Sequence, residues 1–336
     1  MSSELIHKII QLYPIAEGVK FGERVTEGFL SHNYILASPT KKFFLKQYSE
    51  EYSWEILNDI HKVKFFFANS GIPVILPYED INKGTIFEFK EKYFSLFPFA
   101  EGKILSREKL TKREFCNLGK LLAEVHILSR EKLPIRIERE KGKWSKEKFL
   151  EKSKFILEKI KTIEKKTEFD KLTLSVLNKK FEIVMKNNLI AEDLGLTNDH
   201  LLHGDYHEKN VFFNDDGSVK YLFDWEKTCL GPRAFELARA IDLICLDGNY
   251  EKKNIDSAKW FLDGYMEIYP IKKDEFIKGM TYYFIKKAHS LWIETEHYIN
   301  NTQRVDGFFQ REFLMLSYYH ENFDLLVNSI YGEKNY

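Results

Sequence analysis

Residues 203–226 place an aspartate and an asparagine five positions apart and bring a second aspartate shortly afterwards. His203-Gly204-Asp205-Tyr206-His207-Glu208-Lys209-Asn210 runs into the apolar stretch Val211-Phe212-Phe213, and Leu222-Phe223-Asp224-Trp225-Glu226 closes the segment. These residue types in this order meet the needs of phosphoryl transfer. One carboxylate must sit beside the acceptor hydroxyl and receive its proton, while an amide oxygen and a second carboxylate hold magnesium against the phosphates. Asp205 suits the first task, and Asn210 and Asp224 suit the second. Asn214-Asp215-Asp216-Gly217 reads as a hairpin turn between strands 211–213 and 219–223, which brings Asn210 and Asp224 together at its open end.

The elements that must position this segment follow from the rest of the pattern. The first fifteen residues read as a short amphipathic helix with Leu5, Ile9 and Leu12 on one face. Residues 19–25, 33–37 and 42–48 are β-rich runs broken at Gly28 and at Ser38-Pro39. A helix is expected from about Glu50 to Asn69, ending at Ser70-Gly71 before Pro73, with two more strands at 83–89 and 92–97. After a connector at 98–102 the pattern turns helical, over 107–129, 145–168 and 170–189, and again from 233 onward. The fold class is therefore α+β, with a small β-rich lobe (1–97), a hinge (98–102) and a larger helical lobe (103–336), and function is expected in the cleft between them.

Composition bounds the alternatives. With 336 residues, 44% hydrophobic and 15% aromatic, the chain can bury a substantial core. Its N-terminus lacks the basic start and continuous apolar stretch of a secretory signal, and no apolar run approaches bilayer-spanning length. Cys116, Cys229 and Cys245 have no metal-ligand spacing and read as buried thiols of a reducing cytoplasm. Net charge is zero but uneven: residues 191–336 carry 16 Lys or Arg against 25 Asp or Glu. An acidic second half favours a cationic ligand. Lysines interleaved with glutamates, and no basic stripe with stacking aromatics, speak against nucleic acid. The expected partner is a small molecule, with no membrane or nucleic acid, and the oligomeric state is left open.

The run HGDYHEKNVFF followed by LFDWE resembles the phosphotransferase motif of the aminoglycoside phosphotransferase and choline kinase superfamily. That resemblance implies a two-lobed protein-kinase-like fold, ATP and Mg2+ as cofactors, and a small-molecule hydroxyl as acceptor. By motif position Asp205 would be the catalytic base, with Asn210 and Asp224 as metal ligands and His203 holding the loop in shape. Gly119-Lys120-Leu121-Leu122-Ala123-Glu124-Val125-His126 is similar to a helix of the family's second lobe, where His126 reads equally as a packed core histidine. Gly231-Pro232-Arg233-Ala234-Phe235-Glu236-Leu237-Ala238 is similar to the segment after the metal aspartate, with Glu236 where the family usually has aspartate. On the nucleotide side, residues 26–34, including Ser31 and Asn33, resemble the loop that folds over the phosphates, although a plain hairpin reads as well. Lys46 falls at the family's strand lysine, and its carboxylate partner would be Glu55, slightly favoured, or Asp59. Phe97 and Phe99 fall in the hinge that would border the adenine.

The acceptor is less sharply written. Trp292, Glu294, Tyr298 and Glu236 are the candidate substrate residues, and aromatics with carboxylates suit a cation such as an aminoglycoside or a choline-like amine alcohol. Homoserine, a sugar, or a non-catalytic spore-coat-type nucleotide-binding role are the alternatives. A protein kinase is disfavoured because Trp-Glu, not Phe-Gly, follows Asp224, and Gly231-Pro232-Arg233 leaves no room for a long activation segment.

Overall fold

The computed structural model describes residues 3–25, 32–130, 137 and 144–332. Residues 26–31 of the expected nucleotide loop (26–34), with Ser31, lie outside the described residues. Helix α1 (Ser3–Leu12) buries Leu5, Ile9 and Leu12 as its sequence spacing requires. These three pack with Leu36, Phe43, Leu45, Phe94 and Leu96 against an antiparallel sheet. The sheet is built from β1 (Lys20–Val25), β2 (His32–Ala37), β3 (Lys42–Gln47), β4 (Phe87–Phe89) and β5 (Lys92–Pro98), in the order β1-β2-β3-β5-β4. Between β3 and β4 lies α2 (Trp54–Asn69), whose Ser53 side chain caps its N-terminus by accepting from Ile56 N.

The remaining chain is mainly helical: α3 (Lys112–Leu128), α4 (Lys146–Lys161), α5 (Glu168–Lys186), α6 (Arg233–Ile241), α7 (Lys252–Ile268), α8 (Lys273–His289), α9 (Trp292–Tyr298) and α10 (Phe309–Tyr331). Two small sheets interrupt it. Strand β6 (His200–Leu202) pairs with β9 (Cys229–Gly231), and β7 (Val211–Phe213) pairs with β8 (Val219–Leu222). Helices α3 and α7 cross closely at Gly119, where an added Cβ would lie 2.0 Å from Phe261 O. The α+β arrangement of a small sheet-rich lobe and a larger helical one is the one expected.

Several boundaries differ from expectation for local reasons. Strand 83–89 shortens to β4 because Asp80 Oδ1 accepts from Asn82 N (2.7 Å) and Gly84 N (2.9 Å), which closes a turn. The helix expected from 107 starts at Lys112, where Thr111 and Glu114 form a reciprocal capping box. The helices expected over 145–168 and 170–189 instead end at Lys161 and begin at Glu168, where Thr167 and Asp170 form another capping box. Of the three free cysteines only Cys245 is fully buried; Cys116 and Cys229 are half-buried. No helix among the described residues is long and apolar enough to cross a membrane.

Candidate active site

The β7–β8 hairpin is pinned from both sides. Leu222 N donates to Pro73 O (2.8 Å), just after α2, and Phe213 exchanges two backbone hydrogen bonds with Lys103, just after β5. Val211 pairs with Leu222, and Phe223 N donates to Asn210 O (3.0 Å), so Asn210 and Asp224 sit at the open end as the sequence spacing implies. Asn210 Nδ2 donates to Asp205 O (2.9 Å), tying the first aspartate to the same corner. Asp224 itself has φ +65, a left-handed backbone that non-glycine residues seldom adopt and that tends to mark functional turns.

His203 joins the two loops. Its Nε2 can only donate to Phe223 O (2.9 Å), so Nδ1 accepts from Asp205 N (3.2 Å), and the ring is the neutral tautomer. Complete burial lowers its pKa and keeps it neutral. The next residue, Gly204, has φ +81, and an added Cβ would lie 1.9 Å from Lys227 O. Beneath the loop, Glu236 accepts from His203 N (3.0 Å), Gly204 N (2.5 Å) and His126 Nε2 (3.0 Å). Glu236, expected from sequence beside the substrate, is 1% exposed and supports the loop from beneath. His126 is a core histidine that connects Glu236 to Tyr265 OH (2.9 Å). Replacing Glu236 with alanine should strand three N–H groups, those of His203, Gly204 and the His126 ring, at a cost of about 1–3 kcal/mol each. The expected result is a lower Tm by calorimetry, together with loss of activity.

Asp205 is held by two cations. Arg239 Nη2 lies 2.5 Å from Oδ1 and Lys227 Nζ 2.8 Å from Oδ2. Burial alone would raise its pKa, but Arg239 and Lys227 outweigh it and hold the carboxyl well below the usual range. Lys227 keeps 47% of its side chain exposed, whereas Arg239 is largely enclosed and also donates to Gly204 O (3.0 Å).

Lys46 lies at the back of the cleft with 9% of its side chain exposed. Its Nζ is 2.8 Å from Asp224 Oδ1 and 2.8 Å from Glu226 Oε2. Burial disfavours its charge, yet the two carboxylates prevail and raise its pKa. Asp224 retains 44% side-chain exposure at the cleft. Lost hydration on its inward side pushes its carboxyl up, Lys46 pulls it down, and Glu226 adds to the upward push. The expected pairing of Lys46 with α2 carboxylates is not what the structure shows. Glu55 is exposed, Asp59 lies 2.7 Å from Lys62, and the partner of Lys46 beyond Asp224 is Glu226, which sequence reasoning passed over. On the strand beside Lys46, Asn33 pairs with it in register, and its Oδ1 is a buried acceptor with no donor among the described residues. Phe97 is buried on β5, and Phe99, which follows it, stacks under Lys42 Nζ at 5.4 Å.

The other expected substrate residues are engaged elsewhere. Glu294 is fully buried, 2.7 Å from Lys180 Nζ, in a cluster that also holds Glu312 and Lys287. Tyr298 OH donates to Asp170 Oδ1 (2.7 Å) and Trp292 stacks with Phe308. Glu294 and Tyr298 are buried and tie α9 to α5, whereas Trp292 keeps 47% exposure beside Phe308. Glu294→Ala should therefore leave Lys180 short of a partner and cost about 3–5 kcal/mol, read as a drop in Tm, while KM for the acceptor stays unchanged. A surface groove of about 560 Å³ bordered by Ile183, Leu189, Phe284 and His320 contains none of these site residues.

What does reach the neighbourhood of Asp205 is a chain of charges that sequence reasoning missed. Three residues beyond Arg239, Asp242 Oδ2 accepts from Tyr283 OH (2.8 Å) and Arg311 Nη2 (2.9 Å). Arg311 also binds Asp247 (2.9 Å), Asp247 pairs with Arg107, and Arg107 Nη2 lies 3.7 Å from Glu208 on the loop that carries Asp205. Asp242 Oδ1 and Tyr250 OH are buried with no hydrogen-bond partner among the described residues. The visible signal for this wall was the run of polar residues at 239, 242 and 247 inside an otherwise apolar segment.

The residues near Asp224 suit a hard divalent cation. Asn210, Asp224 and Glu226 offer only oxygen, and no group of three His, Cys, Asp or Glu among the described residues could hold a metal alone. Such a donor set fits magnesium, which binds through one or two carboxylates and completes its shell with phosphates and water.

Comparison with known proteins agrees with this geometry. The sequence model of the phosphotransferase enzyme family matches residues 22–252. A homoserine kinase of Caulobacter sp. (strain K31) is 25% identical over 265 residues, covering 78% of this chain and 76% of that protein. A spectinomycin phosphotransferase crystallised with ADP and spectinomycin superposes with a TM-score of 0.67 at 19% identity, over 99% of this chain and 98% of that one. A microcompartment-associated aminopropanol kinase gives 0.67 at 11% identity, over 95% and 98%. The likeness to the two structures identifies the fold as protein-kinase-like.

Proposed function

Starting from the phosphotransferase enzyme family, to which this chain belongs, we propose that it transfers the γ-phosphoryl group of ATP, with Mg2+, to a hydroxyl of a small amine-bearing molecule. The chain is a small-molecule kinase; the nucleotide, the metal and the acceptor class are our reading. The observation that carries it is the convergence of Asp205, Asn210, Asp224 and Lys46, drawn from both lobes, around one cleft.

Asn210 and Asp224 would hold magnesium, which would supply positive charge to offset that of the phosphates. Lys46 leaves Asp224 to pair with the phosphates. Hinge residues 98–102, Phe99 among them and Phe97 just before them, would meet the adenine edge. Asp205 accepts a hydrogen bond from the acceptor hydroxyl, whose oxygen forms a bond to the γ-phosphorus as the bond to the ADP oxygen breaks. The hydroxyl proton passes to Asp205. A carboxylate held at low pKa is a weak proton acceptor, so Asp205 chiefly orients the hydroxyl and takes the proton late. This suits a loose transition state, in which the hydroxyl is oriented first and gives up its proton late. Half-exposed Lys227 is the partner an arriving acceptor displaces, while enclosed Arg239 keeps the carboxylate aimed.

Support for an amine on the acceptor comes from the acidic second half of the chain, where residues 191–336 carry 16 Lys or Arg against 25 Asp or Glu and favour a cationic ligand. A second reading, an amino-acid alcohol such as homoserine, is favoured by Lys227, an accessible cation at the mouth of the site that could meet the acceptor's carboxylate. A coupled ADP-release assay with Mg-ATP against aminoglycosides, choline, ethanolamine, aminopropanol, homoserine and neutral sugars tests both readings. Turnover confined to amine alcohols supports the first and turnover on homoserine the second; turnover on neutral sugars alone overturns both.

A further inference from the structure

Helix α2 buries Leu57, Ile60, Val63 and Phe67, and in the same stripe it buries a lysine, Lys64. A buried ammonium is unfavourable unless paired. Lys64 Nζ lies 3.0 Å from Glu226 Oε1 and 5.2 Å from the centre of the Phe97 ring, on the wall expected to border the nucleotide. The other Glu226 oxygen faces Lys46 at 2.8 Å, and Lys46 in turn meets Asp224 at 2.8 Å. The result is a continuous chain from α2 through Lys64, Glu226 and Lys46 to Asp224. The helix supplies a cation here, and the carboxylate that serves Lys46 comes from the loop behind Asp224.

This arrangement matters when phosphate arrives. Lys46 can turn to a phosphate only by loosening its hold on Glu226 and Asp224. Asp224 is part-exposed and available to metal, but Glu226, with 7% of its side chain exposed, would be left buried and uncompensated. Lys64 removes that obstacle because it continues to neutralise Glu226. We propose that Lys64 is a positioning residue for nucleotide binding: by holding Glu226 it frees Lys46 for the phosphates and Asp224 for the metal, and it ties α2 to the metal loop. This rests on the cleft being a nucleotide site.

Calorimetric titration of Mg-ATP into the parent and into Lys64→Met, Lys64→Arg, Glu226→Gln and the Lys64→Met/Glu226→Gln double variant tests it. A charge-assisted contact predicts that Lys64→Met weakens binding by about tenfold or more, with Lys64→Arg within about threefold of the parent. In the Glu226→Gln background the methionine should add less than about twofold, since the carboxylate Lys64 serves is already neutral. Should Lys64→Met not fold, the double variant, which buries no unpaired charge, is compared with Glu226→Gln and should match it. Parent-like affinity in folded Lys64→Met, or full independent effects of the two substitutions, overturns the inference alone. A parent that binds no Mg-ATP overturns the nucleotide reading and this inference with it.

Discussion

Asp205→Asn is expected to lower kcat by about 10²–10⁴-fold and to leave Mg-ATP affinity nearly unchanged. Asparagine keeps the shape of aspartate and can still hydrogen-bond a hydroxyl, so the acceptor should bind. What it loses is the negative charge and the ability to take the proton. It also leaves Arg239, now 2.5 Å from the carboxylate, with a neutral partner. Because Arg239 and Lys227 hold Asp205 ionised far below neutral pH, the group needs no deprotonation under ordinary assay conditions. The acid side of the parent's pH–rate profile should therefore not report Asp205. Steady-state kinetics across pH, with nucleotide affinity measured separately, separates these effects. Near-parent kcat in the variant would remove Asp205 from the chemistry.

Asp224→Ala should abolish metal-dependent nucleotide binding. Asp224 is the carboxylate of the Lys46–Asp224–Glu226 group that remains open to the cleft, at 44% side-chain exposure. Its left-handed backbone aims it there, and the turn is held by Phe223, which bonds to both Asn210 and His203. Removing it leaves Asn210 as the main oxygen donor on that side and gives Lys46 to Glu226 alone. Titration of ATP with and without Mg2+ should show that the metal increases affinity in the parent and has no effect in the variant. Because Asp224 is half-exposed and its loss relieves crowding beside Glu226, the fold should survive, and Tm should show it. An unchanged metal dependence would move the metal elsewhere.

Much of this site was legible because its residues are close in sequence. The Asp205-to-Asn210 spacing and the hairpin before Asp224 are local features, and the register of β7 with β8 follows from them. The lobe order was equally readable, since α1 and the strands carry clean periodicity. Contacts between distant segments were not. Lys64 and Glu226 are 162 positions apart, and a lysine inside an apolar helical stripe was the only local sign of their pairing. Glu55 and Asp59 were better placed by analogy, but α2 turns Glu55 to solvent and engages Asp59 with Lys62. Long-range contacts also place the expected substrate residues. Glu294 and Tyr298 lie on the buried face of a helix that leaves Trp292 half-exposed, and a buried Glu294–Lys180 pair looks the same in sequence as a ligand pocket.

The central claim is that this cleft moves a phosphoryl group from a nucleotide to an alcohol. Phosphorus NMR of the reaction of Mg-ATP with whichever acceptor supports turnover tests it most directly. A new phosphate-monoester resonance should grow in step with ADP and should form at least about 10²-fold more slowly with Asp205→Asn. ADP appearing only with inorganic phosphate, or a monoester formed undiminished by Asp205→Asn, would contradict it.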